Sequence, residues 1–503
     1  MFYLYRPVIH DRYTGNVIRW HYNVEKGWDL ERWWYKLAQV CQRWRNLILG
    51  SASYLGLCLV CTNGTPVADM LVDSPPLPLV IDYRIPDSEP YLNIGAEEIE
   101  EINLALEQRN RVRRIHFQIT VPNLQKFILS ADKEYPLLEY LIVEPPLLDC
   151  KTALIFPETF QAPRLRHLKL SLFALPMESQ LFPTAVGLVT LSLTIGHPST
   201  EFQPNMLLRW LSFMPLLERL SVFFLEPVPS EDVESQLMHT PTMTHITFPN
   251  LFYFEFTGDS TFVEALVRRM ITPRLERLHL GFVRQPIFLA PSLLQLTSTT
   301  NHLKFDSVTI DFITGQILVG ANFHENFVSA DGFIQHVISI AVYSSPLDSQ
   351  VYSVARIFDS IGHIFSTVEY LDLHYQEFYE QQNVFERTEW RRLLRPFGNV
   401  RTLCIAEELV EGVAGCLWVE DGEDPLELLP ELQELRYSGT ADTGDVFSSF
   451  TNARQNAGRP VTVVFRARPE TPLSRSLSQS SLESSSVVTW DSEVAEAGSD
   501  LDT

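Results

Sequence analysis

Cysteine is scarce in this chain, with six residues among 503. The six are scattered, and such sparse usage argues against a disulfide framework and favours a reducing compartment. The sequence also lacks any apolar run approaching the roughly 20 residues needed to cross a bilayer. Residues 1–10 lack the basic start and apolar run of a signal peptide. We therefore expect a cytoplasmic or nuclear protein with no membrane span.

Familiar catalytic motifs are missing as well. The sequence has no Gly-x-x-x-x-Gly-Lys phosphate loop, no Gly-x-Gly-x-x-Gly, no His-Glu-x-x-His and no Gly-x-Ser-x-Gly. Cys58 and Cys61 form a lone Cys-x-x-Cys without a second pair, so packed thiols explain it better than a zinc site. We predict a protein that is not an enzyme and has no cofactor or metal. An enzyme with an unrecognised site is a third hypothesis.

Basic residues are outnumbered in this chain. There are 39 Lys and Arg against 62 Asp and Glu, which gives a formal net charge of −23. A surface of this sign repels phosphate backbones, so nucleic acid is excluded as the main partner. Residues 468–503 are rich in serine and acidic, with too little apolar mass to fold alone. We predict that they form a disordered tail.

A hydrophobic phrase recurs from residue 112 to residue 437: one hydrophobic residue, two others, a second hydrophobic residue, one other, and a third. The ten good matches are Val112-Ile115-Phe117, Leu138-Leu141-Val143, Leu165-Leu168-Leu170, Leu188-Leu191-Leu193, Leu217-Leu220-Val222, Leu251-Phe254-Phe256, Leu275-Leu278-Leu280, Val368-Leu371-Leu373, Val400-Leu403-Ile405 and Leu432-Leu435-Tyr437. Two weaker candidates fill the longest gap, Phe305-Val308-Ile310 and Ile338-Ile340-Val342. The middle residues then recur at intervals from 23 residues (168 to 191) to 34 (220 to 254).

Repetition on this scale predicts a stacked array in which each short strand is followed by a helix. The last two positions of each phrase alternate, so one strand face is buried and the other is left free. Helical spacing follows several strands, at 206–213, 262–270, 351–365 and 390–397. The predicted fold is an α/β leucine-rich-repeat solenoid (a horseshoe) over residues 112–467. A generic α/β protein is the alternative.

An amphipathic segment precedes the repeats. Its apolar residues share one face of a single predicted helix: Trp33, Leu37, Val40, Cys41, Trp44 and Leu47. Arginine, lysine and glutamine occupy the remainder of that helix. One interpretation is a helical cap over the open apolar end of the array, because solenoids need such caps.

The run from Leu37 to Leu47, with its Val-Cys-x-x-Trp core, resembles the second half of an F-box, as found in F-box proteins of mushroom-forming fungi. The following run, 50–83, resembles the segment that joins F-box to repeats in this family. Later strands preceded by proline, at 163–170 and 273–280, resemble the family's leucine-rich repeats. The likeness covers most of residues 30–465, and only the Val-Cys-x-x-Trp core is distinctive.

The resemblance implies a substrate-recognition subunit of an SCF-type (cullin–RING) ubiquitin ligase. In that family the F-box docks onto a small Skp-type adaptor and the repeats hold a target protein, while the ubiquitin-conjugating enzyme performs the catalysis. The residues carried over as adaptor-binding are Leu37, Val40, Cys41, Trp44 and Leu47. The implied organisation is a partial F-box-like helical segment (1–62), a connecting segment (63–111), the solenoid (112–467) and the tail (468–503).

The sequence departs from the family at its beginning. An F-box normally opens with a Leu-Pro pair and an apolar first helix, whereas this chain begins Met1-Phe-Tyr-Leu-Tyr-Arg-Pro. We interpret this as an N-terminally truncated F-box followed by a polar insert at 11–29. The alternative function is a leucine-rich-repeat interaction scaffold that no longer binds the ligase adaptor.

A target protein is expected on the free side of the strands. Mixed charge and aromatic side chains suit a protein interface, in which Tyr, Phe and Arg act as anchors. The alternative is that these are ordinary solvent-facing residues. The predicted target-binding residues are His167, Lys169, Arg219, Phe223, Tyr253, Arg277, His279, Tyr370, Asp372, His374 and Arg436.

Overall fold

The fold is known from a computed structural model. It describes residues 33–84, 94–131, 133–145, 154–174, 179–196, 204–226, 245–283, 303–323, 336–343, 347–376, 386–420, 423–439 and 446–467. The predicted disordered tail, 468–503, and the predicted opening of the F-box, within 1–32, lie outside these residues.

Twenty strands are present in the described residues. They are β1 Leu59–Cys61, β2 Leu79–Arg84, β3 Val112–Gln118, β4 Tyr140–Val143, β5 Leu154–Ile155, β6 His167–Ser171, β7 Phe173–Ala174, β8 Thr190–Ile195, β9 Arg219–Phe224, β10 Ile246–Thr247, β11 Tyr253–Gly258, β12 Met270–Ile271, β13 Arg277–Val283, β14 Ser307–Ile313, β15 Gln316–Asn322, β16 Ile338–Tyr343, β17 Tyr370–Gln376, β18 Thr402–Ile405, β19 Glu434–Gly439 and β20 Thr462–Ala467.

Sixteen of these strands form one sheet. Its order is β1-β2-β3-β4-β6-β8-β9-β11-β13-β16-β15-β14-β17-β18-β19-β20. Every pair is parallel except the two that involve β15, which runs antiparallel to β14 and β16. The remaining strands form two small parallel pairs, β5 with β7 and β10 with β12. The α/β class and the predicted strands are thereby confirmed.

The hydrophobic phrases explain the register of the sheet. The middle residues of successive phrases are paired across the strands, as in Leu141 with Leu168 and Leu168 with Leu191. All three positions of the ten phrases are buried. A slip of one residue in any strand would turn its apolar side chains out of the core. Each leucine exposed in this way would cost about 1.5–3 kcal/mol, the free energy gained by burying it.

Thirteen α-helices are present in the described residues. They are α1 Trp33–Ala38, α2 Gln42–Gly50, α3 Ala52–Leu55, α4 Val67–Asp73, α5 Ala96–Glu107, α6 Val121–Ser130, α7 Leu181–Thr184, α8 Pro204–Leu211, α9 Ser260–Val267, α10 Leu347–Ile361, α11 Arg387–Leu394, α12 Val410–Leu417 and α13 Ser448–Asn456. Two 3-10 helices span Gly362–Thr367 and Glu407–Leu409.

The helices contribute one apolar face each to the core. In α10, Val351, Val354, Ala355 and Phe358 recur at helical spacing and are buried. They belong to the same hydrophobic cluster as the buried strand residues, which extends from Trp34 to Phe450. Helix α9 begins at a polar cap, because the Asp259 carboxylate accepts a hydrogen bond of 2.7 Å from the backbone N–H of Thr261. The helices predicted near 206, 262, 351 and 390 are confirmed.

The middle of the sheet differs from a simple repeat. β14 and β15 form a hairpin, and β15 lies between β14 and β16. The two weaker phrases fall on β14 and β16. In the sheet, however, β16 lies next to β13 and β14 lies next to β17, which reverses their order along the chain. The antiparallel strand β15 had no counterpart in the sequence analysis.

The sheet begins with β1 and β2, ahead of Val112, where the sequence analysis starts the repeats. β1 pairs with β2, and β2 pairs with β3, all in parallel. Leu79, Ile81 and Tyr83 face the core, while Asp82 and Arg84 lie on the other side. Within the described parts of the chain, no helix is long and apolar enough to span a membrane.

Candidate functional site

One side of the main sheet carries mostly polar side chains, and we call it the polar face. It consists of the strand residues that alternate with the buried rows. All eleven predicted target-binding residues lie on it. Lys169 is exposed and the other ten are half-buried, so the structure brings these side chains onto one surface.

The pairing of seven strands places one row of side chains along the polar face. We call this row the arginine row. Each member is paired with the next on the neighbouring strand. All seven residues are half-buried. The arginine row is Arg114, Tyr140, His167, Thr190, Arg219, Tyr253 and Arg277.

Aromatic and cationic groups stack at the β3 end of the arginine row. The Arg114 guanidinium lies 4.8 Å from the centre of the Tyr140 ring. The Tyr140 ring in turn stacks on the His167 imidazole, whose Nδ1 lies 3.2 Å from the Thr190 hydroxyl. Burial, with a smaller effect of Arg166 and Arg114, lowers the pKa of His167 to about 3. His167 is therefore neutral at physiological pH, and the charge here comes from arginine.

A second stack lies around Tyr253. The Arg219 guanidinium is 5.0 Å from the centre of the Phe252 ring and 5.7 Å from that of Tyr253. The Tyr253 hydroxyl donates a hydrogen bond of 3.1 Å to Glu255 Oε2, which also accepts one of 2.6 Å from the Ser221 hydroxyl. Burial raises the pKa of Tyr253. The phenol therefore stays protonated and keeps donating to the carboxylate.

A row of the polar face next to the arginine row includes His116, Lys169, Ser221, Glu255 and His279. Lys169 forms an ion pair with Glu144. The His279 ring lies 5.1 Å from that of Tyr253, and its Nε2 is buried without a hydrogen-bond partner among the described residues. Burial lowers the pKa of His279. This second row is thus more mixed in charge than the arginine row.

The strands β14, β17, β18 and β19 carry a different set of groups. His374 Nε2 lies 3.1 Å from Asp372 Oδ2, and this hydrogen bond raises the pKa of His374. Burial raises the pKa of Asp311, which is paired with His374 across β14 and β17. The Arg436 guanidinium forms an ion pair of 2.7 Å with Glu434. This half of the polar face therefore holds more carboxylates than the half crossed by the arginine row.

One cluster on the polar face was absent from the sequence predictions. Arg84 donates two hydrogen bonds, of 2.7 and 2.6 Å, to the carboxylate of the buried Asp82. His116 Nδ1 lies 3.6 Å from the same carboxylate. The alternation Leu79, Ile81, Tyr83 could have assigned β2 to the sheet and thereby found this cluster.

Across the described ranges, no group of three His, Cys, Asp or Glu side chains comes together as a metal site. Cys58 and Cys61 pack in different hydrophobic clusters. Burial of Cys404 on the polar face raises the pKa of its thiol to about 11, so it is not an activated nucleophile.

The amphipathic N-terminal segment forms two short helices, so the single helix predicted there is wrong. α1 ends at Ala38 and α2 starts at Gln42, with Cys41 as its extended N-cap. The break changes which side chains are buried: Trp34, Ala38 and Ile48 belong to the core. The indole N–H of Trp34 donates a hydrogen bond of 3.3 Å to the carbonyl of Cys58, next to β1.

The predicted adaptor-binding residues lie mainly outside the core. Val40 is 61% exposed, Trp44 38% and Leu47 55%. Cys41 is also exposed, and Leu37 is half-buried against the core. The apolar residues of this segment are thus divided between the main hydrophobic cluster and the exposed surface.

No protein-family model matches this chain, and no curated protein gives a significant match to it.

Proposed function

We propose that this chain is a leucine-rich-repeat substrate-recognition subunit of an SCF-type ubiquitin ligase. Helices α1 and α2 dock a Skp-type adaptor, and the polar face of the sheet binds a target protein. Residues 1–32, which would hold the opening of the F-box, lie outside the described residues. The protein itself performs no catalysis in this proposal, because ubiquitin transfer belongs to other subunits.

The observation that carries the proposal is the exposure of Val40, Trp44 and Leu47. An exposed tryptophan beside two exposed aliphatic side chains costs solubility and is common where a partner binds. These are the residues at which the F-box resemblance places adaptor contacts. Trp34 and Ile48 anchor the same two helices in the main hydrophobic cluster, which would support a docking surface here.

The repeat architecture is supported by the sheet. Successive phrases supply short parallel strands whose leucines occupy one buried row, with helices packed on that side. The opposite side is left polar, which is what protein-binding solenoids present to their targets. The hairpin β14–β15 would be an insertion into this array.

The proposal is tested by capture of a purified Skp-type adaptor with the full chain. We expect capture by the unaltered chain and loss in the double variant Trp44→Ala, Leu47→Ala, because it removes two of the three exposed apolar side chains. The matched control is Trp418→Ala, Leu216→Ala. It also deletes an exposed tryptophan and an exposed leucine, 54% and 50% accessible, but away from α1 and α2.

Circular dichroism and thermal melting would show that both variants remain folded. Equal capture by the two variants would contradict the docking surface. A folded, unaltered chain that captures no adaptor would overturn the ligase assignment and favour a repeat scaffold that binds its target alone.

A further inference from the structure

Asp311 is a half-buried aspartate on the polar face, where it lies between Leu318 of β15 and His374 of β17. It alternates with the buried Ile310 and Phe312, so its carboxylate faces away from the core. Within the described ranges, the side chain of Asp311 has no ion pair and no hydrogen bond. A carboxylate that is partly removed from water and left unpaired costs free energy, and a cation bound beside it lowers that cost.

Two titratable groups act on the Asp311 carboxylate, and they already engage each other. His374 Nε2 lies 3.1 Å from Asp372 Oδ2. Burial raises the pKa of Asp311, while the charge of His374 opposes this rise and the charge of Asp372 adds to it. The imidazole is thus held by Asp372 and not by Asp311. Two carboxylates face at most one positive charge here, so the local field is negative.

Two apolar side chains continue the row on the other side of Asp311. Leu318 on β15 is paired with Asp311, and Ala341 on β16 is paired with Leu318. Both are half-buried on the polar face, and we call them the apolar shelf. Neighbouring strands lie about 4.8 Å apart, so the shelf extends about 10 Å from the carboxylate.

An apolar shelf that ends at an unpaired carboxylate has the chemistry to bind lysine. The four-carbon stem of a lysine covers apolar surface, and its ammonium is a compact charge with three hydrogen-bond donors. Placed on the shelf, the stem would bring the ammonium to Asp311. The net charge of −23 on the whole chain adds long-range attraction for a basic partner.

We infer that Asp311 and the apolar shelf bind a lysine side chain of the target protein. This inference rests on the proposed role of the polar face in target binding and adds the chemistry of the target. Asp311 supplies the paired charge, Leu318 and Ala341 lie under the stem, and Asp372 adds a second negative charge nearby. Asp311, Leu318 and Ala341 are all absent from the predicted target-binding residues, because the sequence analysis did not find β15.

The probe is a short fluorescein-labelled peptide with a single central Lys and Ser or Ala elsewhere. Two comparison peptides carry acetyl-lysine or norleucine at the central position. Acetylation keeps the stem and removes the charge, and norleucine keeps the stem without a polar head. Binding to the full chain, without adaptor, is followed by fluorescence anisotropy at low and moderate salt.

We expect the Lys peptide to bind about tenfold or more tighter than the acetyl-lysine and norleucine peptides, with its affinity falling as salt rises. Asp311→Asn should weaken the Lys peptide about tenfold and leave the acetyl-lysine peptide unchanged. Leu318→Ala, which shortens the shelf, should weaken the Lys peptide as well. The matched control is Asp73→Asn, which removes the same charge from an exposed aspartate at the end of α4.

Equal binding of the Lys and acetyl-lysine peptides would overturn the inference, and so would a folded chain that does not bind the Lys peptide. An equal loss in the Asp73 and Asp311 variants would do so too, because it would reduce the effect to general charge attraction. Circular dichroism would show that each variant is folded. Since this assay contains no adaptor, its failure alongside successful adaptor capture would leave the proposed function standing, and the reverse result would separate them equally well.

Discussion

The rings of Tyr140 and His167 lie nearly parallel on neighbouring strands, with 4.6 Å between their centroids and 16° between their planes. The stack covers one face of the imidazole, and the ring also lies next to the Thr190 hydroxyl. A protonated imidazole here would lose much of its hydration and would lie near Arg114 and Arg166. The position therefore selects the neutral ring.

His167 should remain neutral between pH 5 and pH 8, because burial lowers its pKa to about 3. The unfolded chain protonates this histidine near pH 6.5. The stability that the neutral ring contributes is thus present above pH 6.5 and is lost as the pH falls towards 3. His167→Gln should remove this dependence, which is at most about 1.4 kcal/mol per pH unit. Urea unfolding at pH 7.0 and pH 5.5 measures it, and an unchanged dependence in the variant would sink the prediction.

His374 should show the opposite sign. Its hydrogen bond to Asp372 raises the pKa above the unfolded value, so the stabilising contribution is present below about pH 6.5 and is lost as the pH rises through the folded pKa. His374→Gln should therefore lower the urea midpoint more at pH 5.5 than at pH 8. The His167 variant is the internal control, because the two substitutions must change the pH profile in opposite directions.

Gly320 should not tolerate a methyl group. A Cβ added there would overlap the imidazole of His336, which packs over the β15 backbone. We expect Gly320→Ala to cost about 1–3 kcal/mol in the free energy of unfolding. Gly398→Ala is the matched control, since its Cβ would meet nothing within 4 Å.

The cause of that cost can be checked with a second substitution. If His336 is the obstacle, His336→Ala should tolerate Gly320→Ala with little further loss, as measured by a double-mutant cycle in urea. A cycle that shows no coupling would mean that the backbone of β15, and not the ring, sets the penalty.

Much of the sheet could be predicted from the sequence because ten of its sixteen strands carry one phrase. Leu141, Leu168 and Leu191 are separated along the chain, yet their equivalent places in the phrase put them in one row. The polar face follows from the same alternation, so its residues could be predicted as a set. Their contacts could not: the Tyr140–His167 stack depends on side-chain directions that no spacing reveals.

Other features were missed for physical reasons. β15 alternates Ile317, Val319 and Ala321 but does not contain the full phrase, and its antiparallel pairing depends on contacts distant in sequence. The break between α1 and α2 contains neither proline nor glycine, the residues that usually mark the end of a helix in a sequence. Burial of Trp34 and Ile48 in the main hydrophobic cluster overrides the continuous helical pattern there.

The hairpin β14–β15 also has a consequence for how the chain folds. Elsewhere in the main sheet each strand pairs with the next one of that sheet along the chain, so contacts stay short in sequence. Here β13 pairs with β16, and β14 pairs with β17, so neither pair can form until the intervening chain is in place. Structure that spreads from one strand to the next would stop at this point, since closing these pairs first requires a longer loop. Strands β13 to β17 should accordingly form together, as one cooperative unit within an otherwise sequential array.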